Sequence, residues 1–232
     1  SEGCPPMSDT MIAALVCEGQ TDVPVLREIL FELWPELDEV RSLQPELDET
    51  GKSRQGKPAG WSAVRQWCEQ HADSLDEFFQ PLVGDPIDLL LVAIDMDIAL
   101  EAGIADPPQQ IGAYESPRLR AKVASWVKPR GRRLPKQVLL ATPVLAIESW
   151  VIAAVFPREK SPEKIESPAE FLMQRKVLRP SAKDGTPWKE LYRYKDLANR
   201  VARKLEHVRK VCPEAERVCA SIEIRRDEVM AA

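Results

Sequence analysis

The chain has 232 residues, enough for one large domain with its own core. A charged fraction of 30% beside a hydrophobic fraction of 44% excludes general disorder. The net charge of −5 hides an asymmetry: residues 1–115 carry 6 Lys/Arg against 23 Asp/Glu, whereas residues 116–232 carry 26 against 14. If the two halves separate in space, the basic one suits a polyanion and the acidic one suits cations; the bland alternative is a set of solvated helix faces. Only two histidines are present, so a Ser-His-Asp triad has few candidates. Five cysteines without a C-x-x-C pair argue against a zinc ribbon or a disulfide framework and fit a reducing cytoplasm. The first ten residues lack a basic stretch leading into an apolar one, so no secretory leader is expected.

In chain order, "MIAALVC" (11–17) reads as a short buried strand. Glu18-Gly19 forms a tight turn, Thr21 or Asp22 caps the next segment, and "VPVLREILFELW" has apolar residues at helical spacing up to Pro35. Val40–Leu43 is a candidate second strand. "TGKSRQGKPAG" (50–60) reads as a loop and does not fit the P-loop spacing. An amphipathic helix is expected over 60–79, with Trp61, Val64, Trp67 and Cys68 on one stripe.

"PIDLLLVAIDMDIA" (86–99) is the second clear buried strand, with Asp95 and Asp97 at its carboxyl end. A Pro- and Gly-bearing loop follows, then a basic helix over 116–127, a strand over 136–144 and a helix over 145–156. The stretch 138–156 has the length of a membrane span, but Pro143 and Glu148 in its middle favour strand, turn and buried helix, so no membrane partner is expected. From 160 onward the pattern is helical and basic, with 188–211 the longest run. Strands alternating with helices predict an α/β domain over 1–157, built on a mostly parallel four-stranded sheet, with a basic helical extension over 158–232 packed on it.

In such a sheet a ligand site lies beyond the carboxyl ends of the strands, where Glu18, Asp95 and Asp97 all fall. If the strand persists, Asp95 and Asp97 face the same way, being two residues apart. Carboxylates crowded together repel and hold protons, and a divalent cation reverses that balance, so Mg²⁺ or Mn²⁺ is the expected cofactor. The bland alternative makes the D-x-D pair caps or solvated loop residues. No G-x-G-x-x-G follows the first strand, which argues against a dinucleotide. Trp126, Trp150 and Trp188 are expected in the core or at an interface rather than as base-stacking platforms.

"LVCEGQTD", followed about 75 residues later by "LLLVAIDMD", resembles the Toprim domain of topoisomerases, primases and OLD-family nucleases, over roughly residues 11–155. The resemblance implies acid or base work for Glu18 and Mg²⁺ binding by Asp95 and Asp97. In the nuclease branch a further acid often stands four positions after the Glu, where this chain has Asp22. "AIESW" resembles the E-x-W helix of small Toprim-like families linked to phage defence and adds Glu148 to the metal set. It departs from the S-x-E form of OLD proteins, because Ala146 stands two before Glu148. A late lysine often completes such sites: Lys195 is the first choice and Lys189 the second. Arg118, Arg120, Lys122, Lys128, Arg130, Arg132, Arg133 and Lys189 are the candidate nucleic-acid contacts.

The resulting expectation is a metal-dependent nuclease acting on DNA or RNA in an antiviral system, with a separately encoded ATPase or other subunit as partner. The alternative is a catalytically inactive Toprim-like module that binds nucleic acid or a partner protein. A phosphatase loop built on "DMD" would need a hydroxyl residue where Ala99 stands, and neither it nor a nucleotide-sugar transferase motif explains Glu18.

Overall fold

A computed structural model describes residues 10–54, 59–99 and 116–231. The stretch 100–115, which includes most of the loop expected after the D-x-D pair, lies outside the described residues, as do 1–9, 55–58 and 232. Four parallel strands form the central sheet: β1 (Ile12–Val16), β2 (Glu39–Gln44), β3 (Leu89–Ala93) and β4 (Val138–Ala141), in the order β2-β1-β3-β4. Leu15 pairs with Ser42 on one side and with Leu91 on the other, and Leu91 pairs in turn with Leu139. β1 and β3 are central, which is why their sequences are apolar throughout rather than alternating.

Because successive side chains in a strand point to opposite faces, these two strands feed two cores. Ala13, Leu15, Leu89 and Leu91 join the larger core, beneath α1 (Asp22–Leu33), α5 (Glu148–Val155), α7 (Leu191–Arg203), α8 (Leu205–Val211) and α9 (Pro213–Met230). Ile12, Ala14, Leu90 and Val92 join the other, covered by α2 (Trp61–His71), α3 (Asp76–Phe79) and α4 (Ser116–Val127). Each fully buried Leu or Ile contributes roughly 1.5–3 kcal/mol against remaining in water. Tyr194, Leu197 and Val201 of α7 lie in the same cluster as β1 and α1, so the basic C-terminal segment completes the core on that face.

Polar ties fix the C-terminal helix to the sheet. Glu214 Oε1 accepts from the Thr142 amide at 3.0 Å and from its hydroxyl at 2.8 Å, just past β4. Arg120 of α4 and Arg217 of α9 close on the same carboxylate at 2.7 and 2.6 Å. Farther along α9, Arg225 donates to the Asp88 carbonyl ahead of β3. Among the described residues, no helix is long and apolar enough to cross a membrane.

Several elements depart from their sequence expectations. The second buried strand ends at Ala93, and Met96–Ala99 is a 3-10 helix, so Asp95 and Asp97 are not two residues of one strand. The backbone still follows the neighbouring segment, with the Ile94 amide donating to Ala141 O and the Met96 amide to Pro143 O. Pro143 has no N–H to return, so regular two-way pairing does not continue past Ala93 and Ala141. The helix expected over 60–79 is broken by a 3-10 turn at Ala72–Ser74. The long run over 188–211 is divided at Lys204, between α7 and α8. Before it lie α6 (Pro168–Gln174) and an antiparallel hairpin of β5 (Arg179–Pro180) and β6 (Pro187–Trp188), for which the sequence carries no periodic signal.

Candidate functional site

The carboxyl edge of the sheet gathers side chains from four parts of the chain. β1 ends at Val16, and the Cys17 amide still donates to the Gln44 carbonyl at 2.7 Å, so the chain is held in line as it reaches Glu18. The Glu18 carbonyl accepts from the Gly60 amide at 2.9 Å, which pins the turn from the other side. Its side chain reaches β3's exit, where Oε1 accepts the Asp95 amide at 2.8 Å. Residues 77 positions apart are thus in direct contact.

Asp95 in turn accepts the Ile147 amide at 3.0 Å, capping the entry to α5. Asp22 begins α1, and its Oδ2 accepts the Gly19 amide at 2.8 Å, so it closes the Glu18-Gly19 turn rather than capping its own helix. Both helices direct their N-termini towards the cluster, where the helix dipole favours negative charge. Glu148 is the first residue of α5 and is wholly buried. Its Oε1 lies 2.7 Å from Lys189 Nζ and accepts the Tyr194 hydroxyl, while Oε2 has no hydrogen-bond partner among the described residues. Asp97 is exposed at the outer side of the group, and its backbone N–H donates to Leu145 O.

Crowding changes how these acids hold protons. Desolvation pushes Glu18 up to about 8, with Asp22 and Asp97 adding to the rise, while the Asp95 amide and the Lys189 ammonium oppose it. Asp22 is pushed up to about 6, first by desolvation and then by Glu148. Asp95 is raised well above the carboxylate range by desolvation, then by Asp22, Glu18 and Glu148. Burial alone would lower Lys189, but Glu148, Asp95 and Asp22 outweigh it and leave the ammonium firmly protonated. Tyr194 is raised by desolvation and by Glu148, so its hydroxyl stays a donor.

The five acids proposed from sequence therefore act on one another across one edge of the sheet. The lysine that joins them is Lys189; Lys195 is exposed on α7 and lines a separate cavity of about 720 Å³ with Gln20, Arg27 and Gly51. Sequence reasoning missed Tyr194, although Tyr194, Leu197, Ala198 and Val201 share a helical stripe that marks the buried face of α7. The candidate nucleic-acid cations divide into two sets. Arg120 faces Glu214 at 2.7 Å, Arg132 faces Asp76 at 2.7 Å, and Arg130 lies 3.9 Å from Asp73. Arg118, Lys122, Lys128 and Arg133 are exposed and form no ion pair with a described residue. Trp126 and Trp150 are buried as expected, but Trp188 is 51% exposed.

An all-oxygen donor set suits a hard divalent cation in its chemistry. Among the described residues, and with the side chains as they lie, no group of three acids, cysteines or histidines is gathered closely enough to hold one ion. One oxygen each of Glu18, Asp22 and Asp95 is engaged by a backbone amide, and Lys189 occupies the place of a cation at Glu148. No family model, curated protein or solved structure matches the chain.

Proposed function

We propose that this chain is a Toprim-like module that binds nucleic acid at the carboxyl edge of its sheet, the acid cluster serving as a hydrogen-bonded frame for that edge. The observation that carries the reading is the closure of the cluster on itself: Glu18 on the Asp95 amide, Asp95 on the Ile147 amide, Asp22 on the Gly19 amide and Glu148 on Lys189. The Lys189 ammonium lowers the negative charge that a phosphate would meet there, and the burial that raises Glu18 and Asp95 acts in the same sense. Exposed cations at Arg118, Lys122, Lys128 and Arg133 add long-range attraction for a polyanion. The order β2-β1-β3-β4 in a parallel sheet is consistent with the Toprim-like topology, and that family reading, a cytoplasmic setting and a separately encoded ATPase partner belong to the proposal.

Metal-dependent phosphodiester cleavage is the second reading, favoured by Glu148 Oε2, a buried carboxylate oxygen without a hydrogen-bond partner among the described residues. One experiment separates the two: anisotropy of a labelled oligonucleotide in EDTA and in Mg²⁺ or Mn²⁺, with the products run on a denaturing gel. The binding module gives salt-sensitive affinity in EDTA and intact products throughout. Cleavage with Mn²⁺ that Glu18→Gln and Asp95→Asn both abolish establishes the nuclease instead.

A further inference from the structure

Trp188 and Tyr192 flank the lysine of the acid cluster and are 51% and 60% exposed. Trp188 ends the β5–β6 hairpin, paired with Arg179 across the strands, and Lys189 follows it directly with its ammonium on Glu148. The hairpin is held shut at its tip, where the Ser181 amide donates to Thr186 O at 2.7 Å and the Thr186 hydroxyl to Asp184 at 2.7 Å. Tyr192 lies in the first turn of α7, its hydroxyl donating to Glu190 at 3.0 Å. Neither ring stacks on another aromatic side chain among the described residues. Along the chain this segment is basic, residues 175–195 holding seven Lys/Arg against two Asp/Glu, and Arg175, Lys176, Arg179 and Lys183 are exposed.

We propose that the β5–β6 hairpin and the start of α7 form a base-stacking platform for single-stranded nucleic acid, with Trp188 and Tyr192 presenting the rings beside the acid cluster. This rests on the nucleic-acid reading above and specifies which form of nucleic acid the edge takes. A polyanion with unpaired bases matches both halves of the surface: aromatic faces accept bases of any sequence, and cations such as Arg179, Lys183 and Lys176 meet the backbone. A duplex offers the same phosphates but keeps its bases stacked inside. An apolar protein segment would have to bury those charges at a cost.

The test is fluorescence anisotropy of the full chain with a labelled oligothymidine strand and, separately, a labelled duplex of equal length. Trp188→Ala is expected to weaken single-strand binding by roughly 10- to 100-fold, the range for losing one stacked base, and to leave duplex binding within about twofold. Trp188→Phe should recover most of that loss, whereas Trp188→Leu, apolar but without a ring, should not; Tyr192→Ala should weaken the single strand in the same sense. Circular dichroism keeps folding in view, and a residue half in solvent leaves the core intact. Wild-type binding that survives Trp188→Ala, or is fully restored by Trp188→Leu, overturns the platform while leaving nucleic-acid binding in place. Equal losses for strand and duplex overturn it too. A wild-type chain that binds neither probe overturns the functional reading itself.

Discussion

Replacing Lys189 with Met probes the contact that closes the acid cluster. Met keeps most of the aliphatic stem and removes the ammonium, so packing changes little while Glu148 loses its 2.7 Å partner. Breaking a buried pair from one side costs about 3–5 kcal/mol, and a solvent-exposed pair contributes about 0–1. This pair is asymmetric: the Glu148 side chain is 0% exposed and that of Lys189 is 43% exposed. The expected cost is therefore about 2–3 kcal/mol, since Tyr194 still donates to Glu148 and water reaches only the lysine end. In a chain of 232 residues that corresponds to a fall of about 5–10 °C in Tm. Urea unfolding of wild type, Lys189→Met, Glu148→Gln and the double variant completes the cycle. Removing both partners should cost less than the sum of the single losses, with a coupling of at least about 1 kcal/mol. A coupling below about 0.5 kcal/mol would show that the two groups are neighbours without an energetic bond, and the closed cluster would lose its central support.

Glu163 is buried beside the Trp150 indole; neither Glu163 Oε1 nor Trp150 Nε1 meets full hydrogen-bond geometry with a described residue, although the indole N–H and the Glu214 amide are near enough to oppose the effect of burial. Burial, with Glu214 adding to it, pushes its carboxyl from 4.5 up to about 7, so the folded state keeps a proton that the unfolded chain releases. Its contribution to stability is thus whole below pH 4.5 and lost as pH rises through 7, by up to about 3 kcal/mol; Glu163→Gln should remove that slope, and parallel stability curves for the two proteins would refute it. Glu214→Ala strips Arg120, Arg217 and Thr142 of a shared acceptor and should cost about 3 kcal/mol in urea unfolding, with faster hydrogen exchange at the Thr142 amide. A loss under about 1 kcal/mol would mean that this carboxylate is not what holds α9 to the end of β4. Lys176 ends α6 at φ +59, with the Lys176 amide donating to Met173 O and the Val177 amide to Leu172 O, the double turn in which glycine is favoured. Lys176→Gly should raise stability by about 0.5–1 kcal/mol, and any destabilisation would refute that account.

Residue order alone made the sheet legible. Uninterrupted apolar runs at 11–17 and 89–94 have no stable place except strands buried on both faces, and their alternation with helical stretches imposes parallel pairing. Parallel pairing brings all strand exits to one edge, which is why Glu18 and Asp95 were readable as neighbours across 77 positions. Asp22 and Glu148 were named as site residues only through the resemblance to Toprim-like nucleases; the structure places each at the start of a helix on that edge.

Choosing among the late lysines needed the fold. Lys189 and Lys195 are six positions apart in a stretch rich in cations, and only the packing of α7 across α1 and α5 turns Tyr194 inward to Glu148 while leaving Lys195 in solvent. The two-residue strands of the hairpin are too short to carry a period, so the exposure of Trp188 was hidden as well. The end of the strand at Ala93 was equally out of reach, because apolar residues recur at Ile94, Met96 and Ile98, and Pro143, which withholds a return N–H, stands on a neighbouring segment about fifty residues away. Local periodicity reports how a segment buries its own face; which partner that face meets depends on contacts between distant segments, and these exist only once the chain has closed on itself.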